Sequence, residues 1–447
     1  MRKPIVFLAT ALVAMSACTP GSNTSQPPRK PPSAINTDIA KAGPVTLTVW
    51  DQEVLGGQNE QMQKLNAAFH AKYPNVTIKR VSRSFSDLQK TLRLALSGNN
   101  PPDVVEANQG YGIMAALVKA GALAPLDPYD KVYGFRKRFP AGVTQLNSVT
   151  PDGKTIGSGS LYGVSMTGEA VGLYYNTDKL AKLGIQPPVS WSQFEQDLSL
   201  AKGKGETPLY FANLEKFPAI HEFGVLLGQT TDKTALRSLV FGQGGAWTDP
   251  PVVAAAQKLA VYAKNGYFPK SVNADKYNDS PSAFAKGEGV FLIGGPWFAA
   301  DLQKKMGSKV RFMLPPPSDT GRPQPATLGG PGLPLAITSK SEHPDVAAAY
   351  LDFMTTPQAM DVVTQTGGLA GAKPASAQPT TPVGRDVFNA YRVASDKDIL
   401  VPYLDYATTT FLDTLGSALQ EIIAGRKTAE EGMRDAQKDY SDFLAKK

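Results

Sequence analysis

From residue 45 onward strand-like and helix-like segments alternate, and that order is the strongest constraint this sequence places on its fold. VTLTVW (45–50) is β-branched and runs into Asp51. After a glycine turn, Met62, Leu65, Phe69 and Tyr73 recur at helical spacing until Pro74. VTIKRV (76–81) is a second strand. Ser86 is placed to cap a helix carrying Leu88, Leu92 and Leu96, and Gly98 ends it. DVVEAN (103–108) is a third strand, and EAVGLYYNTD (169–178) is another. Ser192 and Glu195 have capping-box spacing at the start of a helix near Trp191, which reads as a packing residue. Further helices are predicted over 250–264, 344–354 and the closing segment 411–445. There Lys427, Arg434 and Lys438 read as a solvated face. Such alternation predicts an α/β protein with a mostly parallel sheet covered by helices. In sheets of this kind ligands sit beyond the carboxyl ends of strands, where Trp50-Asp51 and Asn108-Gln109 lie. Asp51 there either accepts ligand hydroxyls or merely forms a turn.

The chain begins with an address. MRKPIVFLATALVAMSAC has Arg2 and Lys3, then an apolar stretch too short to span a bilayer, then small residues before Cys18. Met15-Ser16-Ala17-Cys18 resembles the lipobox of bacterial lipoprotein signals. The resemblance implies a signal peptide over 1–17 and diacylation of Cys18 as the mature N-terminus, holding the protein to the outer face of the cell membrane. Residues 18–44 are rich in Pro, Ser, Thr and Asn and read as a flexible tether.

Several function classes are excluded early. Cys18 is the single cysteine, so no intrachain disulfide and no cysteine-based metal site can form. His70, His221 and His343 are scattered without metal-ligand spacing. The formal net charge of +7 is not gathered into a basic run, which argues against nucleic-acid binding. No G-x-S-x-G elbow, P-loop or metal motif appears. A carboxylate pair such as Asp51 and Glu169 is the only catalytic option left, and the expectation is a protein that is not an enzyme and carries no cofactor.

One stretch offers a candidate binding surface. In VFLIGGPWFAADL (290–302) an apolar strand stops at Gly294-Gly295-Pro296, and Trp297 follows at once. Gly295 lets backbone and ligand approach closely, Pro296 suits a first helical turn, and the indole offers a large rigid face. By the residues alone Trp297 either faces a ligand or caps the core.

Taken in order, VTLTVW, AFHAKYPNVTI, SGNNPPDVVEAN, EAVGLYYNTDKLAKLGIQPPVSW, AFAKGEGVFLIGGPWFAADL, LGGPGLPLAITSKSEHPDVAAAYLDFMTTPQAM and LQEIIAGRKTAEEGMRDAQ resemble the extracellular solute-binding proteins of ABC transporters. The likeness is to the sugar-binding group that includes maltose-binding protein. It implies a two-lobe periplasmic-binding-protein-like fold of type II, with the ligand cleft between lobes and several crossing strands. Lobe one would be 45–169 plus 331–370, and lobe two 170–330 plus 371–447. Crossings would fall near Glu169–Gly172, Thr327–Gly332 and Gly367–Ala372. The resemblance further implies a ligand-facing Trp297, a cleft-facing Asn108 and Gln109 and a cleft carboxylate at Glu169. It also implies backbone contacts at Gly329 and Gly330, and loosely a cleft aromatic at Phe217. Tyr111 lies near the polar pair but can simply pack. Trp247, in GGAWTD, is either a second plate or a loop anchor. GGLAGAKPASA lacks the arginine that many relatives carry near that loop, and Lys373 either replaces it or is plain surface. The implied partners are a carbohydrate, the permease of an importer and a membrane reached through Cys18, with the protein acting as a monomer. Sugar acids, glycerophosphodiesters and polyamines are alternative ligands, because relatives bind them.

Overall fold

A computed structural model describes residues 34–319 and 324–447; the leader and Cys18 lie outside the described residues. Val45–Asp51 pairs in parallel with Val76–Ser82 on one side and Val104–Glu106 on the other. Pro334–Ile337 and Val164–Ser165 extend this five-stranded sheet with antiparallel pairing. In the first strand the odd-numbered residues Val45, Leu47, Val49 and Asp51 are buried, and the even-numbered ones face the other side of the pleat. Met62, Leu65 and Phe69 anchor the helix Gly56–Lys72 on this sheet, where Phe69 meets Tyr350 of the helix Pro344–Met354 edge-on at 5.2 Å. The helix Phe85–Ser97 buries Leu88, Leu92 and Leu96. Its cap is Ser84, which accepts from the Asp87 backbone N–H at 3.2 Å; Ser86 lies within the first turn.

The second sheet runs Val310–Met313, Gly172–Asn176, Phe291–Gly294, Leu209–Tyr210. The helix Trp191–Gly203 is capped two residues earlier than the sequence spacing suggests. Ser190 accepts from Gln193 N–H at 3.2 Å, and Gln193 returns its side chain to Val189 N–H at 3.0 Å. Glu195 instead takes the Tyr262 hydroxyl at 2.8 Å. The closing segment forms two helices, Phe411–Ile423 and Ala429–Leu444, parted at Gly425 (φ +69°) and restarted by a capping box between Thr428 and Glu431. Lys427 and Lys438 pair with Asp435 and Asp442 at this surface.

Three short strands join the two halves: Leu400–Val401, Thr327–Pro331 and Gly168–Ala170. Gly329 lies opposite Ala170, and a Cβ on it would stand 2.3 Å from the Glu169 carbonyl oxygen. Only glycine permits that approach. A third passage is tied by Gly371 N–H donating to the Met166 carbonyl at 2.8 Å and by the bridge between Thr167 and Ala370.

Two expectations are corrected here. The tether does not reach residue 44. Ile39 is buried in the core of the first half, Asn36 N–H donates to Asp345 at 2.9 Å, and Asn75 holds the Ile39 and Gly43 carbonyls at 2.8 and 2.9 Å. Trp247 is not a plate in any cleft. It is fully buried between Phe411 (4.6 Å) and Tyr440 (6.3 Å), and its backbone N–H donates to Gln437 at 2.6 Å. It locks the closing helices onto the second core.

Trp247→Ala is therefore expected to lower stability by about 3–5 kcal/mol in urea denaturation, with a smaller loss for Trp247→Phe. An unchanged midpoint in the alanine variant would contradict this core role.

Candidate functional site

Between the two sheets lies a cleft that is partly open to solvent. One wall comes from the segment after the first strand, with Gln52, Val54, Leu55 and Gln58, and from Phe85 and Asn108. The other carries Phe217, Ile220, His221, Tyr277 and Trp297. Its floor is made at the crossing by Glu169, Leu333, Tyr403 and Asp405. Phe85 and Phe217 meet across the mouth with ring centroids 4.9 Å apart, so this is a closed arrangement of the two walls. A smaller hollow continues behind Trp297 toward Thr366–Leu369 and shares Gln58, Glu169 and Trp297 with the main chamber.

Trp297 stands where the strand Phe291–Gly294 ends and the short helical turn Pro296–Phe298 begins. Its Nε1–H donates to the Tyr277 hydroxyl at 2.8 Å, and its ring lies 5.4 Å from His221. The indole folds back over Gly295: a Cβ there would come within 2.2 Å of the ring. Gly295 thus serves the indole directly, while its carbonyl accepts from the buried Tyr174 hydroxyl at 2.7 Å. Because the indole is half-buried and held by Tyr277, it presents a rigid face at little further entropic cost.

The floor is unusual electrostatically. Glu169 is buried, and burial raises its carboxyl to about 8, although the Tyr403 hydroxyl donating at 2.7 Å works in the opposite direction. Burial likewise raises Asp405, to about 6, against the hydrogen bond from Asn108 at 3.0 Å. Burial lowers His221 to about 4, so its imidazole is neutral near pH 7. Glu53, behind the floor, is raised by burial and by the neighbouring Asp51 to about 7.

Of the residues singled out in the sequence, Asn108, Glu169, Phe217 and Trp297 line this cleft. Others lie elsewhere. Asp51 shares the buried face of its strand and is taken by Arg80 (2.5 and 2.9 Å) and by the Ser82 hydroxyl (2.5 Å), leaving nothing for a ligand. Trp50 points to the opposite face, under the Arg83 guanidinium at 4.7 Å. Gln109 is buried in the crossing: it donates to the Gly332 carbonyl at 3.0 Å and accepts from the Tyr406 hydroxyl at 2.9 Å. Gly329 and Gly330 are buried in crossing-strand pairing with Ala170 and Glu169. Tyr111 packs on Phe443 at 4.8 Å, and Lys373 is exposed outside the lining. Asp51 and Glu169 therefore do not form a carboxylate pair across the cleft.

Tyr403 and Asp405 were not anticipated, yet they follow the short strand Leu400–Val401, a strand end like those that drew attention to Asn108. His221 and Tyr277 carry no comparable signal, because they reach the cleft from a helix and a loop that only the packing brings together. Among the described residues no group of three His, Cys, Asp or Glu side chains converges to hold a metal ion. No helix among them is long and apolar enough to cross a membrane.

Comparison with known proteins adds ancestry to this geometry. The profile of a family described as bacterial extracellular solute-binding protein matches residues 56–361. The chain is similar to an uncharacterised ABC transporter extracellular-binding protein of Pyrococcus horikoshii, 24% identical over 443 residues covering 96% of this chain and 93% of the relative. It is also similar to the melibiose/raffinose/stachyose-binding protein of Bacillus subtilis, 22% identical over 450 residues covering 94% and 91% of the two chains. Among solved structures, a chitin oligosaccharide binding protein superposes with a TM-score of 0.77 at 21% identity, covering 90% of this chain and 99% of that one. Two-lobe proteins of this kind share the fold found here.

The raised carboxyl of Glu169 sets a pH dependence. Between its ordinary value of 4.5 and about 8 the folded chain keeps a proton that the unfolded chain has lost. Its contribution to stability is thus complete below the lower value and disappears as pH rises through the upper one. Glu169→Gln keeps an acceptor for Tyr403 and is expected to flatten the fall in melting temperature across that window. A slope equal to that of the wild type would mean that the carboxyl is ionised in the fold.

Proposed function

The chain belongs to the bacterial extracellular solute-binding proteins, and from that premise we propose that it is the receptor of an ABC importer, capturing a saccharide in the cleft and handing it to a membrane permease. The observation that carries this reading is Trp297, an indole pinned by Tyr277 in a cleft that sets apolar side chains beside the hydrogen-bonding Gln52, Gln58, Asn108 and Asn278. A pyranose ring can lay its C–H face on the indole while Asn108, Gln52 and Gln58 reach its hydroxyl edge. Similarity to a melibiose/raffinose/stachyose-binding protein supports a ligand of one or more sugar rings. So does the second hollow behind Trp297.

In this reading the lobes are 45–169 plus 331–370 and 170–330 plus 371–447, with the segment from Asn36 docked onto the first. They shut by bending at the crossing strands, and the ligand stabilises the closed form through contacts that both walls make at once. In this reading the sugar is carried and released with its bonds intact, as in a transport receptor. Cys18 is the lipid anchor, residues between it and Asn36 form the tether, and a monomer suffices because the cleft is complete within one chain.

A screen of mono- and oligosaccharides by thermal shift tests the reading: a true ligand at 100 times its Kd stabilises the fold by about 2.7 kcal/mol. For that ligand, Trp297→Ala is expected to weaken binding more than about tenfold, or about 1.4 kcal/mol, with circular dichroism unchanged. Unaltered affinity would remove Trp297 from the site, and turnover of an oligosaccharide without a stoichiometric complex would make the protein an enzyme instead.

A further inference from the structure

The cleft contains acidic groups and neither lysine nor arginine, and burial keeps its one histidine, His221, neutral near pH 7. Glu169 is 9% exposed and lines both the main chamber and the hollow behind Trp297. Its Oε2 accepts from Tyr403, and among the described residues no donor meets its Oε1. Asp405 stands on the same floor with Asn108 on its Oδ2. Neither Lys nor Arg occurs among the residues that line the two chambers. The chain as a whole has a formal net charge of +7, so the exclusion of cations from this one cavity runs against its composition.

The walls add a second feature. Tyr277, Trp297, Tyr403 and Phe217 bring ring surfaces to the cleft around these carboxyls. The faces of such rings attract a cation, most strongly where water is excluded. An ammonium group could donate to Glu169 Oε1 and to Asp405 while resting against a ring face, and charge-assisted bonds of that kind are stronger than those made by a hydroxyl. A ligand carboxylate or phosphate would instead meet two acids without a countercharge.

We infer that the cleft selects a saccharide carrying a protonated amine, with Glu169 and Asp405 as its countercharges. This deepens the saccharide reading above and rests on it. The titratable groups facing Glu169 are Tyr403, Asp405 and Tyr406 on the floor, Tyr277 from the opposite wall, Glu53 behind the floor and Tyr391 from the helix Pro382–Asp396; none is cationic. Asp405 faces Asn108, Tyr406 and Glu169. Burial keeps a proton on Glu169 up to about 8, so an ammonium entering at pH 7 expels that proton as the carboxyl ionises to meet it.

Matched pairs test this: glucose against glucosamine, galactose against galactosamine, and cellobiose against fully de-N-acetylated chitobiose. Each is titrated by calorimetry at pH 7 in two amine-free buffers of different ionisation heat. In the pairs that bind, the amine is expected to bind about tenfold or more tightly than its hydroxyl partner and to release a proton. Glu169→Gln and Asp405→Asn are each expected to shrink that ratio, and Glu169→Gln to remove the proton release. Equal or tighter binding of the neutral partners overturns the inference and leaves the saccharide reading standing, as does a ratio that survives both substitutions. Absence of binding by every saccharide overturns both. Should a variant not fold, the wild-type ratio and proton count decide alone.

Discussion

Everything in this molecule that concerns a ligand depends on one tight backbone approach, that of Gly329 to Glu169. The strands Thr327–Pro331 and Gly168–Ala170 pair where the chain passes between its halves, and the missing side chain at Gly329 lets the Glu169 carbonyl come close. That pairing places the Glu169 side chain on the cleft floor. It also sets the width of the crossing, since Gln109 reaches from one half to the carbonyl of Gly332 and the hydroxyl of Tyr406. A hinge of this kind bends as a unit: its hydrogen bonds are buried, and breaking them singly would leave polar groups without partners.

Around the hinge the two halves treat buried charge differently. Asp51 and Arg80 form a satisfied pair that belongs to the fold and is silent toward ligands. Glu169 and Asp405 have hydroxyl and amide partners but no cation, so burial is the dominant influence and their carboxyls rise. The first arrangement is structural. The second leaves acidic groups free to meet a ligand, and it does so in the cleft that Trp297 lines.

The elements were largely legible in the sequence, because the period of apolar residues reports directly on secondary structure, but their pairing was not: the expected mostly parallel sheet is parallel only around Val45–Asp51 and antiparallel through most of the second sheet, since strand direction depends on contacts distant in the chain. The helices at 250–264 and 344–354 have the bounds their spacing implies. The cap residues were less legible: Ser84 and Ser190, rather than Ser86 and Ser192, accept the first free N–H groups, and neighbouring serines compete equally on sequence grounds. For the site, Trp297 with its preceding glycines stood out, and Asn108 and Glu169 followed from strand ends and the family likeness. Asp51 misled although the information was present. In VTLTVWD a period of two puts it on the face of Val45, Leu47 and Val49, the buried one, where a carboxylate requires Arg80.

The likeness to the solute-binding proteins implied two lobes, but what the amino-acid order determined alone was local: which segments are strands or helices, and that they alternate. These follow from periodicity and turn chemistry, which act over a few residues. What only the tertiary structure decided was which side chains share a space. Trp247 and Trp297 are alike as residues behind glycines. One is sealed between Phe411 and Tyr440, and the other is held by Tyr277 at a cleft. Their partners lie as far away in sequence as the closing helices, and contacts over such separations are fixed by packing of the whole chain.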